Sequence, residues 1–427
     1  VVRGAVISAL RSGEGKTLVT LGLLRLFSRK GVLVQPFKVG PDYIDPKWHK
    51  LASGRASYNL ELFSMGEKRL KALFYSVATS SEIALVEGVM GLFDGKFSTF
   101  RVAKILKLPV IIVLDTFGLA ETIAPLVKGA AERLKRASLP FVLFLNRVSS
   151  DKHLLRLERA LRRYPLLGYL KREEALKLSS RHLGLYLPED IERAKELLDY
   201  LSEILDQTVN LEIFEEFKLS MPPKGQRPFF LPEIPYAKIA LAMDRAFNFY
   251  YQHLLDELSQ KASILTFSPL EDESLPSEAE AIYIGGGYPE LYAERLSANQ
   301  KMLRALKEWA EAGLPLYAEC GGLIYLSRAL HWQGKSYNMA NIFPFLIERG
   351  NLTLGYRKVI PQDRLPLFET KGPFFAHEFH YTKVTEPSSK IKTIFLVKSL
   401  EGEKFNEGFL YKKSLSTYLH LLSFAET

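Results

Sequence analysis

Ser8-Ala9-Leu10-Arg11-Ser12-Gly13-Glu14-Gly15-Lys16-Thr17 follows a short apolar run, Ala5 to Ala9, and leads into a helical one, Leu18 to Phe27. A glycine-permitted loop between strand and helix lets backbone N–H groups point at phosphate oxygens, with Lys16 reaching the terminal phosphates and the Thr17 hydroxyl offered to Mg²⁺. Leu10 stands where the strict pattern of such loops has glycine. The strand before and the helix after still favour a phosphate loop over an ordinary turn. Ser12, Gly13, Gly15, Lys16 and Thr17 are therefore the candidate ATP contacts.

Outward from this loop the chain alternates apolar runs with amphipathic segments. The runs are Ala5 to Ala9, Val32 to Val39, Ile83 to Val86, Val110 to Leu114 and Phe141 to Leu145. That rhythm predicts a mostly parallel α/β sheet. It lapses at Met221-Pro222-Pro223-Lys224-Gly225-Gln226-Arg227-Pro228, followed by Pro232 and Pro235, and restarts with Ile239 to Met243, Ile264 to Phe267, Ala281 to Ile284 and Leu314 to Tyr317. The expected organisation is a domain over 1–218, a linker over 219–236 and a second α/β domain over 237–427. A length of 427 residues suits two cores better than one.

Composition narrows the partners. One cysteine excludes an intrachain disulfide framework and fits a reducing, cytoplasmic setting. The longest apolar runs are too short to span a bilayer and no secretory signal is visible, so no membrane association is expected. The net charge of +9 comes from basic residues scattered among acids, which points to an anionic small molecule rather than to nucleic acid. A free sheet edge in either domain would permit a homodimer.

Two further strand ends carry acids. Phe37-Lys38-Val39-Gly40-Pro41-Asp42-Tyr43-Ile44-Asp45-Pro46 holds two carboxylates in a loop fixed by glycine and prolines, and Leu85-Val86-Glu87-Gly88-Val89-Met90-Gly91-Leu92-Phe93-Asp94-Gly95 holds two more. Ligands bind at strand C-termini in such sheets, so Asp42, Asp45, Glu87 and Asp94 are expected to converge. Glu87 and Asp42, with Thr17, are the candidate Mg²⁺ ligands. Four acids exceed what one Mg²⁺ requires, which leaves Asp45 and Asp94 to orient a substrate. Asn146, in Leu145-Asn146-Arg147-Val148, either reads a nucleobase edge through its amide or is a turn residue.

The single cysteine lies in Tyr317-Ala318-Glu319-Cys320-Gly321-Gly322, after the apolar stretch Gly313 to Leu316. A reactive side chain on a small-residue turn between a strand and a helix is the pattern of a nucleophile elbow, the alternative being a buried structural thiol. Leu323 to Leu330 reads as the helix, whose N-terminus would favour the thiolate.

Taken together, these segments resemble the cobyrinic acid a,c-diamide synthase family, glutamine-dependent amidotransferases of corrin biosynthesis. The resemblance runs along nearly the whole chain: Ser12 to Thr17, Lys38 to Pro46, Glu87 to Gly95, Arg181-His182-Leu183-Gly184-Leu185, Gly285-Gly286-Gly287-Tyr288-Pro289-Glu290, the cysteine elbow, His377-Glu378-Phe379-His380-Tyr381 and Tyr418-Leu419-His420-Leu421. It implies a dethiobiotin-synthetase-like P-loop domain followed by a class I glutamine amidotransferase domain. It further implies Cys320 as nucleophile toward the glutamine amide and His420 as its base, with N–H groups of Gly286 or Gly287 and of Gly321 forming the oxyanion hole. His377 and His380 are expected on one strand face, either touching a substrate or holding a loop, with no ligand run to support zinc. Two departures stand out. The family often has a second histidine two residues after the base, where this chain has Leu422, and Ala376 replaces a glycine and is expected to tighten a turn.

The implied reaction uses ATP·Mg²⁺ to phosphorylate the a and c carboxylates of cobyrinic acid and ammonia from L-glutamine to displace the phosphate. The same chemistry on hydrogenobyrinic acid or nickel-sirohydrochlorin is the nearer alternative. A partition-type ATPase switch or an inactive scaffold is the remoter one, disfavoured because Arg11 stands where such switches place a signature lysine.

Overall fold

In the computed structural model, which describes residues 2–172, 187–188, 193–222, 228–386 and 391–426, the apolar run at Ala5 becomes the middle of a sheet. The segment Arg181 to Leu185 lies outside the described residues. Two compact units divide the chain, Val1–Pro228 and Phe229–Thr427.

The first unit alternates strand and helix: β1 (Arg3–Ala9), α1 (Lys16–Arg29), β2 (Val34–Val39), α2 (Asp45–Ser53), β3 (Tyr58–Leu60), α3 (Leu62–Ala78), β4 (Ile83–Glu87), α4 (Thr99–Leu106), β5 (Val110–Asp115), α5 (Ile123–Arg136), β6 (Phe141–Val148), α6 (Asp151–Ala160), β7 (Leu166–Lys171) and α7 (Ala194–Thr208). All seven strands run parallel in the order β3-β2-β4-β1-β5-β6-β7. β1 is apolar on both faces and lies buried between β4 and β5, as parallel strands under two helix layers require. The loops leaving β1, β2, β4 and β6 therefore share one edge of the sheet, the edge where such folds bind ligands.

The second unit comprises β8 (Lys238–Ala242), α8 (Gln252–Lys261), β9 (Ser263–Phe267), β10 (Ala281–Ile284), α9 (Ala293–Ala298), α10 (Gln300–Glu311), β11 (Leu316–Glu319), α11 (Gly321–Leu326), β12 (Ser327–Trp332), β13 (Lys335–Asn338), β14 (Phe343–Pro361), β15 (Phe374–Thr385), β16 (Lys392–Ser399), β17 (Lys404–Tyr411), β18 (Ser414–Thr417) and β19 (Leu419–Phe424). β9-β8-β10-β11-β18 form a parallel core, and β17, β16 and β14 continue it. β15 leaves this path to pair antiparallel with both β14 and β19.

Three local expectations need correction. The helix after the cysteine stops at Leu326, and Ser327–Trp332 is strand. The reason is downstream: Gln333 and Gly334 both have positive φ, 50° and 76°, the two-residue turn that closes a hairpin onto β13. Ala376 is not in a turn but inside β15, opposite Arg357 and Leu421. His377 and His380, three residues apart on that strand, fall on opposite faces: His377 shares its side with Phe379, while His380 bonds to Glu378.

Candidate active sites

The phosphate-type loop is braced from within and from beneath. Gly15 has φ +100°, and a Cβ there would lie 2.2 Å from Asn146 Nδ2. That same amide donates to the Glu14 carbonyl at 2.8 Å, so Asn146 at the end of β6 supports the loop, while its buried Oδ1 has no hydrogen-bond partner. The Glu14 carboxylate accepts from the Leu10 N–H at 3.1 Å and from Arg11 Nε at 3.2 Å. Lys16, the first residue of α1, is buried and its ammonium has no partner among the described residues. Burial, then the charge of Lys38, push its pKa down. The result is an uncommitted cation at a helix N-terminus, the arrangement that receives phosphate oxygens.

Beside it, one lysine gathers three of the four expected acids. Lys38 Nζ, at the end of β2, lies 2.6 Å from Asp45 Oδ2, 3.2 Å from Glu87 Oε1 and 3.9 Å from Asp42 Oδ2. Glu87 is fully buried: Oε1 also accepts from Thr17 Oγ1 at 2.6 Å, and Oε2 lies 2.6 Å from His49 Nε2. His49 Nδ1 is 2.9 Å from Ser57 Oγ. Burial alone would raise Glu87 and neutralise Lys38, but their attraction, with His49 and Asp45, wins, holding Glu87 low and Lys38 protonated. Asp45 goes the other way: burial, Asp42 and Glu87 push it well up, and its Oδ1 has no partner. Asp94 does not join this group. Its Oδ2 instead accepts the Gly91 N–H at 2.8 Å and closes its own loop. Lys38 and His49 carried no assigned role in the sequence reading. A lysine inside the wholly buried run Val-Gln-Pro-Phe-Lys-Val is the signal for the first, while nothing in the sequence marks the second.

In the second unit Cys320 sits at φ 45°, ψ −96°, a conformation that costs a non-glycine residue about 1–3 kcal/mol and is characteristic of functional turns. Its N–H is fixed by the Thr417 carbonyl at 2.7 Å, and Sγ lies 3.6 Å from the Phe379 carbonyl. The expected bias toward thiolate does not hold in the resting site. Burial first, then Glu290 and Glu319, push the thiol up, and only the Gly321 N–H works against them.

His420, on β19 opposite His377, packs its ring on Gly286: a Cβ there would fall 2.4 Å from Cε1 and 3.1 Å from Nδ1. A Cβ at Gly321 would meet Gly287 N at 3.1 Å. Gly286-Gly287 thus lies between the imidazole and the elbow, bringing the expected nucleophile, base and oxyanion donors into one locus. Burial, with His377 and His380 adding to it, lowers His420 well below its ordinary range, so the ring is neutral and able to accept a proton. His377 Nδ1 is buried without a partner, and burial with Arg357 brings this residue down to about 4. His380 is a structural anchor: Nδ1 bonds the Thr382 carbonyl at 2.7 Å, Nε2 lies 3.0 Å from Glu378, and the ring stacks on Tyr418 at 3.8 Å.

Two buried acids that received no role from the sequence tie these strands together. Glu319 Oε1 accepts from Tyr317 Oη at 2.9 Å and from the Leu421 N–H at 3.0 Å, joining the strand before the cysteine to the strand of the histidine. Glu407 accepts from the Thr417 hydroxyl and from the Tyr418 N–H at 2.8 Å. Burial pushes both up to about 7.

A P-loop-like parallel sheet followed by a second α/β unit with its cysteine on a strand-to-helix elbow has the architecture of a nucleotide-binding glutamine amidotransferase. Family models agree with each half: residues 5–185 match the CobQ/CobB/MinD/ParA nucleotide binding domain, and residues 238–427 match the CobB/CobQ-like glutamine amidotransferase domain. Similar full-length proteins include the cobyrinate a,c-diamide synthases of Caldanaerobacter subterraneus subsp. tengcongensis, 36% identical over 97% of this chain and 94% of that protein, and of Picrophilus torridus, 37% identical over 98% and 95%. The enzyme of that name from Listeria monocytogenes is 37% identical over 97% of this chain and 95% of its own length. The chain belongs to the cobyrinate a,c-diamide synthase family, as its motifs led us to expect, and is a glutamine-dependent amidoligase. Among the described residues no helix is long and apolar enough to cross a membrane.

Proposed function

We propose that this enzyme works in the cytoplasm, converting cobyrinic acid to its a,c-diamide with ATP as phosphoryl donor and L-glutamine as the ammonia source. The observation that carries this reading is the uncommitted Lys16 ammonium at the loop beside the Lys38-centred carboxylates, in a chain whose other unit holds Cys320 and His420 in one locus. The full-length relatives named for the same conversion support the choice of substrate.

A carboxylate oxygen leaves poorly, so the γ-phosphoryl group is transferred to it first, giving an acyl phosphate from which ammonia expels inorganic phosphate. Lys16 and the loop N–H groups of Gly13 and Gly15, next to Ser12, bind the phosphates by position and charge. Asp42 and Glu87 both approach Lys38, and Glu87 also reaches the Thr17 hydroxyl, a carboxylate-and-hydroxyl set that suits a divalent cation completed by the nucleotide phosphates. Thr17, Asp42 and Glu87 would hold Mg²⁺, which supplies neutralisation of phosphate charge. Asp45 and, from its separate loop, Asp94 orient the macrocycle's carboxylate.

At the other site the Cys320 thiol passes its proton to His420 as Sγ attacks the glutamine side-chain carbonyl carbon. N–H groups of Gly287 and Gly321 stabilise the oxyanion. Its collapse releases ammonia, which takes the proton back from His420, and water then cleaves the thioester to glutamate.

The test is mass analysis of cobyrinate incubated with ATP and either glutamine or ammonium. Wild type should add two amides with both donors, and Cys320→Ser only with ammonium. Glutamine-driven amidation surviving in Cys320→Ser would sink the thioester route. Failure on cobyrinate together with success on hydrogenobyrinic acid or nickel-sirohydrochlorin would reassign the substrate.

A further inference from the structure

Three carboxylates act on Cys320, those of Glu290, Glu319 and Glu378. Two are spent. Glu319 is held by Tyr317 and the Leu421 N–H, and Glu378 by Arg357 Nε at 2.7 Å and His380 Nε2 at 3.0 Å. Glu290 is not. It lies on the single turn Pro289–Tyr292, three residues after the Gly287 assigned to the oxyanion, and the turn abuts the elbow: a Cβ at Gly321 would sit 3.0 Å from Pro289 Cδ. Its Oε2 is closed off from solvent with no hydrogen-bond partner, and beyond its own backbone N–H nothing eases its charge.

A carboxylate with one oxygen closed off and no counter-charge is costly to ionise, and such a group in a cleft is a candidate for binding a ligand. The substrate brings one cation, the α-ammonium of zwitterionic glutamine, and must place its amide at Sγ. Resting on the reading of Cys320 as the glutaminase nucleophile, we propose that Glu290 is the receptor for the α-ammonium of glutamine.

A consequence concerns the thiol. The charged and titratable groups acting on it are Glu319 on its own strand, Glu378 from β15, Tyr418 from the C-terminal segment, and Glu290, which among the charges raises it most, while His377 and His380 act on His420. Neutralising Glu290 with the incoming ammonium relieves the thiol as the substrate arrives, so the nucleophile is restrained while the site is empty.

Two measurements test this. Wild-type enzyme should use 4-carbamoylbutanoate, glutamine without its amino group, roughly 10²-fold less well in kcat/KM than glutamine, because the buried carboxylate is left unpaired. In Glu290→Gln, kcat/KM for glutamine, normalised to the ammonium-driven rate of the same preparation, should drop by a similar factor, and the preference over the desamino analogue should vanish. Alkylation of Cys320 by iodoacetamide without glutamine should accelerate in the variant, a clean reading because the chain has one cysteine. Equal use of the two substrates by wild type overturns the proposal even if the variant does not fold. So does an unchanged preference in Glu290→Gln. If Cys320→Ser is inactive with glutamine while Glu290→Gln behaves as wild type, the ammonium receptor falls and the thioester route stands.

Discussion

Gly286→Ala should uncouple the enzyme from glutamine. The added Cβ would lie 2.4 Å from His420 Cε1, whereas ordinary Cβ contacts begin near 3.4 Å, so the ring must retreat by about 1 Å. Gly286 is not at positive φ, so backbone strain does not enter and the effect is steric. The ring cannot yield freely: His420 is 1% exposed, and its strand is paired to β15 on either side of it. A 1 Å displacement of a catalytic group costs about 10²-fold in rate. Overpacking costs about 1–3 kcal/mol in stability, too little by itself to unfold a domain of ordinary stability. The assay is the ratio of glutamine-driven to ammonium-driven amidation in one preparation, with thermal unfolding followed in parallel. We expect the ratio to fall about 10²-fold with the ammonium rate retained. A ratio within threefold of wild type, in a folded variant, would refute the placement of His420 as the base.

Gly15→Ala is the mirror experiment: its Cβ would strike Asn146 Nδ2 at 2.2 Å from a backbone at φ +100°, so amidation should be lost with either donor while glutamine hydrolysis persists, read as glutamate release. Glu407→Gln should flatten the pH dependence of stability. The folded carboxyl titrates at about 7 against 4.5 for the ordinary group, so its contribution is whole below 4.5 and is lost as pH rises to 7, a loss of about 3 kcal/mol. Glu290 and Glu319 add to the fall in the same window while His377, brought down to about 4, opposes it, so the urea midpoint should drop less between those limits in the variant than in wild type. Gly129→Ala, on exposed mid-helix α5 with nothing within 4 Å of the new Cβ, should stabilise the first unit by about 0.5–1 kcal/mol, seen as a higher Tm.

Much of this was legible in the sequence, and the limits have physical causes. The first unit read clearly because its strands are buried on both faces and so appear as unbroken apolar runs, each ending in a loop with glycine or acid. Cys320 and the glycines around it were visible for the same reason: an elbow demands small neighbours at fixed offsets. The extended antiparallel part of the second unit was not. Phe343–Pro361 and Phe374–Thr385 face solvent on part of their length and mix polar with apolar residues, and the register that sets His377 opposite His420 depends on pairings between strands far apart in the chain. Leu323 to Leu330 misled because a short apolar run does not distinguish helix from strand until the turn after it is read. Asp94 failed to join the other acids because a carboxylate three residues from a free N–H closes its own loop first.

What the sequence could not show is which charges are already paired, and this is where the two sites become comparable. In the first unit Lys38 is surrounded by Asp45, Glu87 and Asp42, and Glu87 is further engaged by Thr17 and His49; Lys16, on the same edge, feels Glu87, Glu14 and Asp45 at a distance but makes no hydrogen bond with its ammonium among the described residues. In the second unit Glu319 and Glu378 are bound on several sides and Glu290 is not. Each site thus spends its neighbours on fixing geometry and leaves one ionisable group without a hydrogen-bond partner among the described residues, Lys16 in the first and Glu290 Oε2 in the second, which is why the proposals above assign them a phosphate and an ammonium. Because an unpaired buried charge is unfavourable until its ligand arrives, part of the binding energy at each site is stored in the empty protein. On those assignments a substrate lacking the matching charge gains none of it, and the desamino analogue of glutamine is the direct probe.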